Sequence, residues 1–510
     1  MTLMSLLRDR ASGGAADAPG LHLGAETWSW ARYWEEARSA AAGLRAAGVR
    51  RGDHVVVVAI DVATSVRAIL GAWALGATVT PVGIPLRADD VAACVNHVAE
   101  CAAIVDARTV VVPRIAAGFA TAANVVIAED LAGTGEIDPD AAAGELALIQ
   151  LTSGTTGRPR GVMVPHEHLL AHLGAMARAL PLRGDAVGLS WLPLYHDMGL
   201  IGGLLFPLFC GFPLHLTSPQ SFRANPFGWL ESLARFRVAI TPAPPSVWGL
   251  CARLAPRAVE RGLDLSHLDC ALVGAEPISA RVLDELAVAL APCGFTREAF
   301  FPVYGLAEAT LAVTFPRVRA PRTFDRVAGM TFVGVGHPLS GTELRIVDET
   351  GADLAERAIG RIVVRAPHAM VGYYGEPPLE PGAWIDTGDL GYVVDGELFV
   401  TGRRKELIIR AGQNLVPAHL EDIASRVAGV RPGCVAAVGV WSERLATERA
   451  WVVAETRAPE AEHAALAHAI RAALRAHGIE IDGVQLIGAG ALPKTTSGKL
   501  MRRRIAELVT

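Results

Sequence analysis

Short apolar runs alternate with amphipathic stretches over the first part of the chain. His54–Ile60 and Thr78–Val82 are almost wholly apolar, which is typical of buried strands. Between them, Val62–Leu75 has apolar residues at the spacing of a helix that buries most of its surface. Alternation of this kind predicts parallel sheets covered by helices, because a crossover helix connects parallel neighbours.

The same reasoning predicts the elements that follow. Further helices are expected at 26–49, 89–100, 167–180, 221–236, 245–254 and 279–291. Further strands are expected at 103–106, 110–112, 125–128, 146–151, 186–192, 238–241, 268–274 and 300–304.

From about Phe332 the pattern becomes β-type, with strands expected at 343–347, 360–366, 391–394 and 397–401. The dipeptide Asp395–Gly396 between the last two predicts a hairpin. A final alternating stretch predicts strands at 434–441, 449–454 and 484–487 and helices at 418–426 and 460–477.

The predicted fold class is α/β. A large N-terminal domain (1–402), with parallel α/β subdomains and a small β-rich subdomain, precedes a small mobile α+β C-terminal domain (403–510).

The composition and charge of the chain exclude several classes of protein. The 510 residues are 51% hydrophobic and 19% charged, which favours large cores and excludes general disorder. The net charge of −5 and the lack of a long basic block argue against nucleic-acid binding. Seven dispersed cysteines without a C-x-x-C pair predict reduced thiols. Leu200–Leu216 is broken by glycine and proline and is shorter than the roughly 20 residues of a membrane span. We therefore expect a cytoplasmic protein without a membrane span.

The most polar glycine-rich segment is Leu151–Gly161, LTSGTTGRPRG, directly after a predicted strand. Glycines allow the backbone to approach a ligand, and successive N–H groups in such turns can bind an anion. Four hydroxyls and two arginines add to this, so a polyphosphate fits. The alternative is an ordinary polar turn, and the segment lacks the G-x-x-x-x-G-K-[ST] pattern of a Walker loop.

Six other stretches combine polar side chains with glycine or with chain turns. On its own, each has a plain structural reading: a satisfied His–Asp pair, a helix cap, a turn or a solvated basic face. Glu308, for example, fits either a Mg²⁺ ligand or a helix cap. The stretches are WLPLYHDMGLIGG (191–203), GAEP (274–277), YGLAEAT (304–310), TGDL (387–390), GRRKELIIRAGQNLVP (402–417) and LPKTTSGKLMR (492–502).

Taken in order over nearly the whole chain, these motifs resemble the adenylate-forming superfamily of acyl-CoA synthetases, fatty acyl-AMP ligases, adenylation domains and luciferases. WLPLYHDMGLIGG, GAEP and YGLAEAT look most like the fatty acyl-AMP ligase branch. The resemblance implies a set of ATP-binding residues: Thr152, Ser153, Gly154, Thr155, Thr156, Gly157, Arg160, Gly274, Ala275, Glu276, Pro277, Tyr304, Gly305, Asp389 and Arg403.

The resemblance also implies the remaining roles. Lys499 would bridge the substrate carboxylate and the α-phosphate, Glu308 would bind Mg²⁺, and His196 would stand between the acyl and thiol sites. Lys405 would be the hinge about which the small domain rotates between two half-reactions. The thiol tunnel would be lined by Ala411, Gly412, Gln413 and Asn414.

The implied reaction joins a carboxylic acid to ATP, giving acyl-AMP, and then passes the acyl group to the thiol of CoA or of the phosphopantetheine of an acyl carrier protein. We expect an apolar acid, because the candidate acyl-pocket stretches Trp191–Phe212 and Pro242–Trp248, and the residues before Tyr304, are mainly apolar. ATP, Mg²⁺ and CoA are the expected cofactors and substrates.

Two departures from the family pattern affect this expectation. Only Pro316–Thr331 lies where fatty acyl-AMP ligases carry an extra segment that disfavours CoA, so CoA is the expected acceptor. Arg160 stands where the family usually has lysine, and Arg and Lys bind phosphate differently. The alternatives are a fatty acyl-AMP ligase that loads a carrier protein, and an enzyme that mainly converts acyl-AMP to acyl-CoA.

Overall fold

A computed structural model describes residues 2–84, 91–121, 124–138, 140, 145–152, 159–327, 330–410, 413–445, 447–494 and 500–509. The strands are β1 (Pro19–Leu23), β2 (Glu26–Ser29), β3 (His54–Val58), β4 (Thr78–Val82), β5 (Thr109–Val112), β6 (Asn124–Ile127), β7 (Leu146–Thr152), β8 (Arg160–Pro165), β9 (Gly188–Ser190), β10 (Leu214–Leu216), β11 (Ile240–Ala243), β12 (Cys270–Val273), β13 (Phe300–Pro302), β14 (Tyr304–Gly305), β15 (Ala312–Phe315), β16 (Phe324–Val327), β17 (Met330–Val333), β18 (His337–Pro338), β19 (Glu343–Val347), β20 (Gly360–Arg365), β21 (Gly372–Tyr373), β22 (Ile385–Val394), β23 (Glu397–Arg403), β24 (Ile408–Arg410), β25 (Gln413–Leu415), β26 (Val430–Ser442), β27 (Thr447–Thr456) and β28 (Gly483–Gly488).

The helices are α1 (Leu3–Ser12), α2 (Trp30–Ala46), α3 (Val62–Ala74), α4 (Val91–Ile104), α5 (His166–Ala179), α6 (Phe206–Cys210), α7 (Pro219–Ala224), α8 (Pro226–Arg235), α9 (Pro245–Glu260), α10 (Ala280–Leu290), α11 (Pro417–Ser425), α12 (Glu460–Ala476) and α13 (Arg502–Ala506). A π-helix, Met198–Leu205, leads directly into α6.

Two seven-stranded sheets dominate the N-terminal part. One has the order β13-β12-β11-β9-β10-β1-β2 and the other β21-β8-β7-β4-β3-β5-β6. Their central strands pair in parallel, and antiparallel pairs occur only at one end of each sheet, β1 with β2 and β7 with β8 and β21. Helices cover the parallel strands, which explains why β3 reads as a continuous apolar run with Val55–Val58 buried. The predicted parallel α/β architecture is confirmed.

Small residues allow the covering helices to pack closely. A Cβ placed on Gly71 of α3 would lie 2.8 Å from the Cβ of Ala40 on α2. The two helices therefore approach through an Ala/Gly face, and Ala37, Ala41 and Leu44 are buried beside it. Substituting Gly71 by a larger residue would force α2 and α3 apart.

An antiparallel sheet and a mixed sheet follow the large sheets. β19, β20, β22 and β23 form a four-stranded sheet, as the β-type pattern predicted. The predicted hairpin at Asp395–Gly396 is confirmed, and both turn residues have positive φ, 51° and 76°.

In the C-terminal part β26, β27 and β28 form a separate sheet, with α11 and α12 packed around it. Its core includes Ile408, Leu420, Val452 and Ile470 and is distinct from the larger N-terminal core. The large and small domains of the predicted fold class are thus present.

Three predicted elements are wrong in detail. Residues 26–29 form β2 rather than the start of a helix, because they pair with β1. Residues 103–106 are the end of α4 and a turn, because Val98, Cys101 and Ala102 continue one buried helix face. The helix predicted at 221–236 is two helices, since Asn225 caps α8 by accepting from Gly228 N at 3.1 Å and Pro226 begins the new helix.

The predicted core character of Leu200–Leu216 is confirmed, because most of its apolar side chains are buried. Among the described residues, no helix is both long and apolar enough to cross a bilayer. All seven cysteines lie in described ranges and are free thiols.

Candidate active site

One large cleft, of about 2040 Å³, collects most of the residues that the motifs singled out. It lies along the strand ends of the large domain and is closed on one side by the small domain. The residues from the predicted site that line it are Thr152, Arg160, His196, Ala275, Glu276, Pro277, Tyr304, Gly305, Glu308, Asp389, Arg403 and Lys405. Segments far apart in sequence therefore contribute to a single site.

Tyr304, Asp389 and Arg403 form a connected polar group in the lining of the cleft. The Tyr304 hydroxyl donates to Asp389 Oδ2 at 2.7 Å, and Arg403 Nε lies 2.9 Å from Asp389 Oδ1 in an ion pair. Asp389 and Arg403 are direct partners across β22 and β23, so the sheet register brings them together. Both oxygens of a buried carboxylate are thereby engaged, while Arg403 stays half exposed to the cleft.

Burial dominates the electrostatics of this group. It raises the pKa of the Asp389 carboxyl, and the charge of Arg403 opposes that rise. Burial likewise raises the pKa of the Tyr304 phenol, which stays protonated as the donor. The arrangement holds the Asp389 carboxylate and the Arg403 guanidinium in the cleft lining, where both can form hydrogen bonds with the hydroxyls of a sugar.

The GAEP segment lies between β12 and α10, as predicted. Ala275 has a φ of +67°, an uncommon value for a residue with a Cβ. The Glu276 carboxylate accepts from Ser246 N and Ser246 Oγ, both at 3.1 Å, and so binds the first turn of α9. The side chain of Glu276 thus holds the loop to α9, and Glu276 also lines the cleft.

Gly305 permits a close approach that no other residue would allow. A Cβ at this position would overlap the carbonyl group of Leu311, to which Leu306 N also donates at 2.8 Å. The backbone of the YGLAEAT segment therefore folds tightly back on itself. This fold places Tyr304 and Glu308 on the same wall of the cleft.

Glu308 lies in a short 3₁₀ turn and accepts a hydrogen bond of 2.8 Å from the Tyr373 hydroxyl. The Arg160 guanidinium lies 3.3 Å from the centroid of the Tyr373 ring. Arg160 also binds Glu376 with both fork nitrogens, at 3.1 and 2.8 Å. Glu308 is therefore held by a tyrosine and does not cap a regular helix, the alternative that the sequence left open.

Glu308 is compatible with a Mg²⁺ ion. Among the described residues there is no cluster of three or more metal-binding side chains. Mg²⁺ is commonly held by one or two carboxylates together with substrate phosphates and water, so one oriented carboxylate in a nucleotide cleft is a suitable donor set.

His196 and Asp197 stand at the start of the π-helix. His196 Nδ1 lies 2.7 Å from Asp197 Oδ1, which also accepts from Met198 N at 2.6 Å. Gln150 Nε2 donates to Tyr195 O at 3.0 Å and so ties this segment to the end of β7. The π-helix widens the backbone here, a feature often found at functional sites.

Part of the cleft lining is apolar. Met198, Phe206 and Phe212 lie within the stretch expected to line an acyl pocket. Trp191 and Trp248 are not among the lining residues and instead pack in a buried aromatic cluster around Trp229. Residues not expected from sequence complete the wall: Met176, Leu180, Gly188, Leu189, Leu214, Ile240 and Leu272.

Lys405 lies in a 3₁₀ turn directly after β23, at the junction with the small domain. Gln413 and Asn414 are in β25, where they pair with Arg410 and Ile409 of β24. Other residues of the predicted site lie outside the described ranges: Ser153, Gly154, Thr155, Thr156, Gly157, Ala411, Gly412 and Lys499.

The base of the Lys499 segment is described and is well anchored. Lys494 and Leu500 form an isolated antiparallel bridge, and Met501 N donates to Pro493 O at 3.0 Å. Arg502 is mostly buried and binds Glu406 at 2.8 Å, Glu421, and the Ala437 carbonyl at 2.8 Å. This cluster ties the segment to the residue that follows Lys405.

The family model for AMP-binding enzymes matches residues 7–374. The chain belongs to the AMP-binding enzyme family. As a member it is an adenylate-forming ligase.

Named relatives of this AMP-binding enzyme differ in their acyl acceptor. It is 32% identical to the medium-chain-fatty-acid–[acyl-carrier-protein] ligase JamA of Moorena producens, over 71% of this chain and 68% of JamA. It is 30% identical to a Mycobacterium bovis protein named as fatty-acid–CoA ligase fadD21, over 99% of this chain and 97% of that protein.

The fold of this AMP-binding enzyme also matches a solved structure from work on fatty acyl-adenylate ligases of E. coli and L. pneumophila. The TM-score is 0.90 at 27% identity, covering 100% of this chain and 97% of the other.

Two side chains at the site, Tyr373 and Glu376, were not identified from the sequence. They lie in GYYGE (372–376), after the β-type pattern has begun. No spacing in the sequence connects this stretch with the residues it contacts. Tyr373 lies 65 residues from Glu308, and Glu376 lies 216 residues from Arg160.

Proposed function

We propose that the enzyme is an acid–thiol ligase that activates an apolar carboxylic acid with ATP and transfers the acyl group to CoA. The observation that carries this proposal is the continuity of one cleft. The polar group of Tyr304, Asp389 and Arg403 and apolar side chains such as Phe206 and Phe212 line the same cleft. The cleft can therefore offer apolar contacts to the tail of an acid and polar contacts to a nucleotide.

At the nucleotide end, Asp389 and Arg403 would bind the ribose, and Gly274–Pro277 with Tyr304–Gly305 would enclose the adenine. Thr152–Gly157 and Arg160 would bind the β- and γ-phosphates. Glu308 would hold Mg²⁺, which supplies charge stabilisation for the polyphosphate when bound. These assignments follow the family motifs, and every described residue among them except Gly274 lines the cleft.

In the first half-reaction a carboxylate oxygen attacks the α-phosphorus of ATP, and pyrophosphate leaves. Lys499 would stabilise the negative charge that develops on the α-phosphate oxygens. In the second half-reaction a thiolate attacks the acyl carbonyl carbon, and AMP leaves with the bonding electron pair. His196, which lines the cleft, would separate the acyl carbonyl from the incoming thiol.

The two half-reactions would use two positions of the small domain. We place the boundary between residues 402 and 403 and the hinge at Lys405, directly after β23. Rotation would withdraw Lys499 and bring the Ala411–Asn414 segment to the thiol tunnel. Hinge motion at the end of one element is a common way to complete two sites in turn.

CoA is favoured as acceptor by the short segment between β15 and β18. Its described residues, 316–327 and 330–336, include the two-stranded β16–β17 hairpin, with Val327 and Phe332 packed against Tyr392 and Phe399. The name of fadD21 is compatible with CoA, whereas the name of JamA favours a carrier protein. Loading of an acyl carrier protein is therefore the second candidate. The seven free thiols support a cytoplasmic location.

The acceptor is tested with purified enzyme, MgATP, a panel of apolar carboxylic acids, and either CoA or a phosphopantetheinylated carrier protein. Mass spectrometry should detect acyl-CoA. A reaction that stops at acyl-AMP with CoA and proceeds only with the carrier protein would contradict the proposal. A parallel reaction with supplied acyl-AMP and CoA identifies an enzyme that performs mainly the second half-reaction.

A further inference from the structure

Arg160 lines the nucleotide cleft, and its positive charge is already paired with a carboxylate. It is the first residue of β8, lines the cleft, and its side chain is 42% exposed. Its guanidinium binds the carboxylate of Glu376 through Nε at 3.1 Å and Nη2 at 2.8 Å. This is the forked geometry in which arginine binds two oxygens of a carboxylate or of a phosphate.

Tyr373 fixes the position of this guanidinium. Its ring lies beneath Arg160, and its hydroxyl donates to Glu308. The tyrosine is itself fixed by the β21–β8 pairing, in which it is the partner of Val162. Arg160 can therefore keep its place on the aromatic ring when the carboxylate of Glu376 leaves.

The Glu376 side chain is 49% exposed, so its pairing with Arg160 is screened by water and easily exchanged. A polyphosphate has more charge and more acceptor oxygens than one carboxylate and can use the same fork. A lysine at position 160 could neither bind two oxygens in a plane nor stack on Tyr373 in this way. The pairing thus gives a structural reason for arginine where the family usually has lysine.

We propose that Glu376 sets the affinity of the site for polyphosphate, because its carboxylate occupies the Arg160 guanidinium until pyrophosphate or the phosphate tail of ATP displaces it. This inference rests on the proposed function, since it takes the cleft to be an ATP site. Tyr373 is the positioning residue that keeps Arg160 beside Glu308 during the exchange.

The test is isothermal titration of the full-length protein with inorganic pyrophosphate and, separately, with MgATP. Glu376→Gln should tighten binding by roughly two- to five-fold at low salt, the range expected for an exposed ion pair. Glu343→Gln is the matched control. Glu343 pairs with Arg365 in a similar fork, with N–O distances of 3.1 and 2.6 Å, and neither residue lines the cleft.

A double variant separates competition for Arg160 from a general change in charge. In an Arg160→Ala background, Glu376→Gln should give no gain in affinity. Unchanged or weaker binding by Glu376→Gln, or a gain that persists without Arg160, would overturn the inference while leaving the proposed function in place. A wild-type protein that binds neither pyrophosphate nor MgATP would overturn both.

Discussion

The Tyr304 hydroxyl donates a 2.7 Å hydrogen bond to Asp389 across 85 residues of sequence. The bond joins β14, which directly follows the last strand of a large sheet, to β22 of the four-stranded sheet, in which Arg403 ends β23. The proposed adenine and ribose contacts are therefore parts of one connected group.

Asp389→Asn should weaken ATP binding about ten-fold, or ~1.4 kcal/mol, measured by calorimetry. Asparagine can still accept from Tyr304, but Arg403 loses its carboxylate partner and the ribose loses a charged acceptor. Asp353→Asn is a suitable control, because Asp353 pairs with Arg345 on the surface. Equal ATP affinities for Asp389→Asn and the wild type would contradict the ribose assignment.

Buried histidines should make the fold sensitive to acid. Burial lowers the pKa of His166 and of His368 to about 4, and that of His172 well below its usual value. Because these folded-state pKa values lie below the unfolded value of about 6.5, the stabilisation is complete above pH ~6.5 and is lost as the pH falls toward 4. The free energy of unfolding in urea should therefore drop by about 2 kcal/mol per histidine between pH ~7 and pH ~5.

His166→Phe tests this pH dependence directly. Phenylalanine can keep the edge-on contact with Trp73, and both ring nitrogens of His166 are buried without a partner among the described residues. The variant should lose less stability on acidification than the wild type. Parallel pH profiles for the wild type and His166→Phe would refute the assignment.

Arg502→Met should destabilise the small domain by about 3 kcal/mol, because it leaves the mostly buried Glu421 without its cationic partner. Chemical denaturation followed by circular dichroism measures this loss. Arg475→Met is the control, since Arg475 lies 3.8 Å from Glu480 at an exposed site. Similar stability for the two variants would mean that the Arg502 cluster contributes little.

Lys499→Ala should reduce acid-dependent pyrophosphate release by about 100-fold or more, because the charge that stabilises the first transition state is removed. Transfer from supplied acyl-AMP to the thiol should continue, so the second half-reaction is an internal control. Unchanged pyrophosphate release in this variant would eliminate the proposed role of Lys499.

The large-scale fold is predictable because burial on both faces of parallel strands leaves uninterrupted apolar runs such as β3. Prediction from local periodicity is wrong where contacts with another part of the fold determine the secondary structure. β2 is a strand because β1 lies beside it, and α4 continues to Ile104 because its buried face extends that far. The π-helix at Met198 has no distinct pattern in the sequence, since its residues are apolar on all sides.

The candidate site is predictable only as a set of separate motifs. Asp389 and Arg403 lie on strands joined by a recognisable hairpin, so their proximity follows from strand pairing. The contact between Tyr373 and Glu308 depends on how segment 370–376 runs along β8, with Met370 N bound to Glu308 O at 2.9 Å. Local sequence contains no information on that path, which is why Tyr373 and Glu376 were missed.

Acid-dependent exchange of labelled pyrophosphate into ATP is the decisive assay for the proposed ligase, because it reports reversible formation of acyl-AMP without any acceptor. Exchange should require both Mg²⁺ and an apolar carboxylic acid, and it should saturate with the acid. No exchange above the acid-free background, across a panel of alkyl and aryl acids, would contradict it.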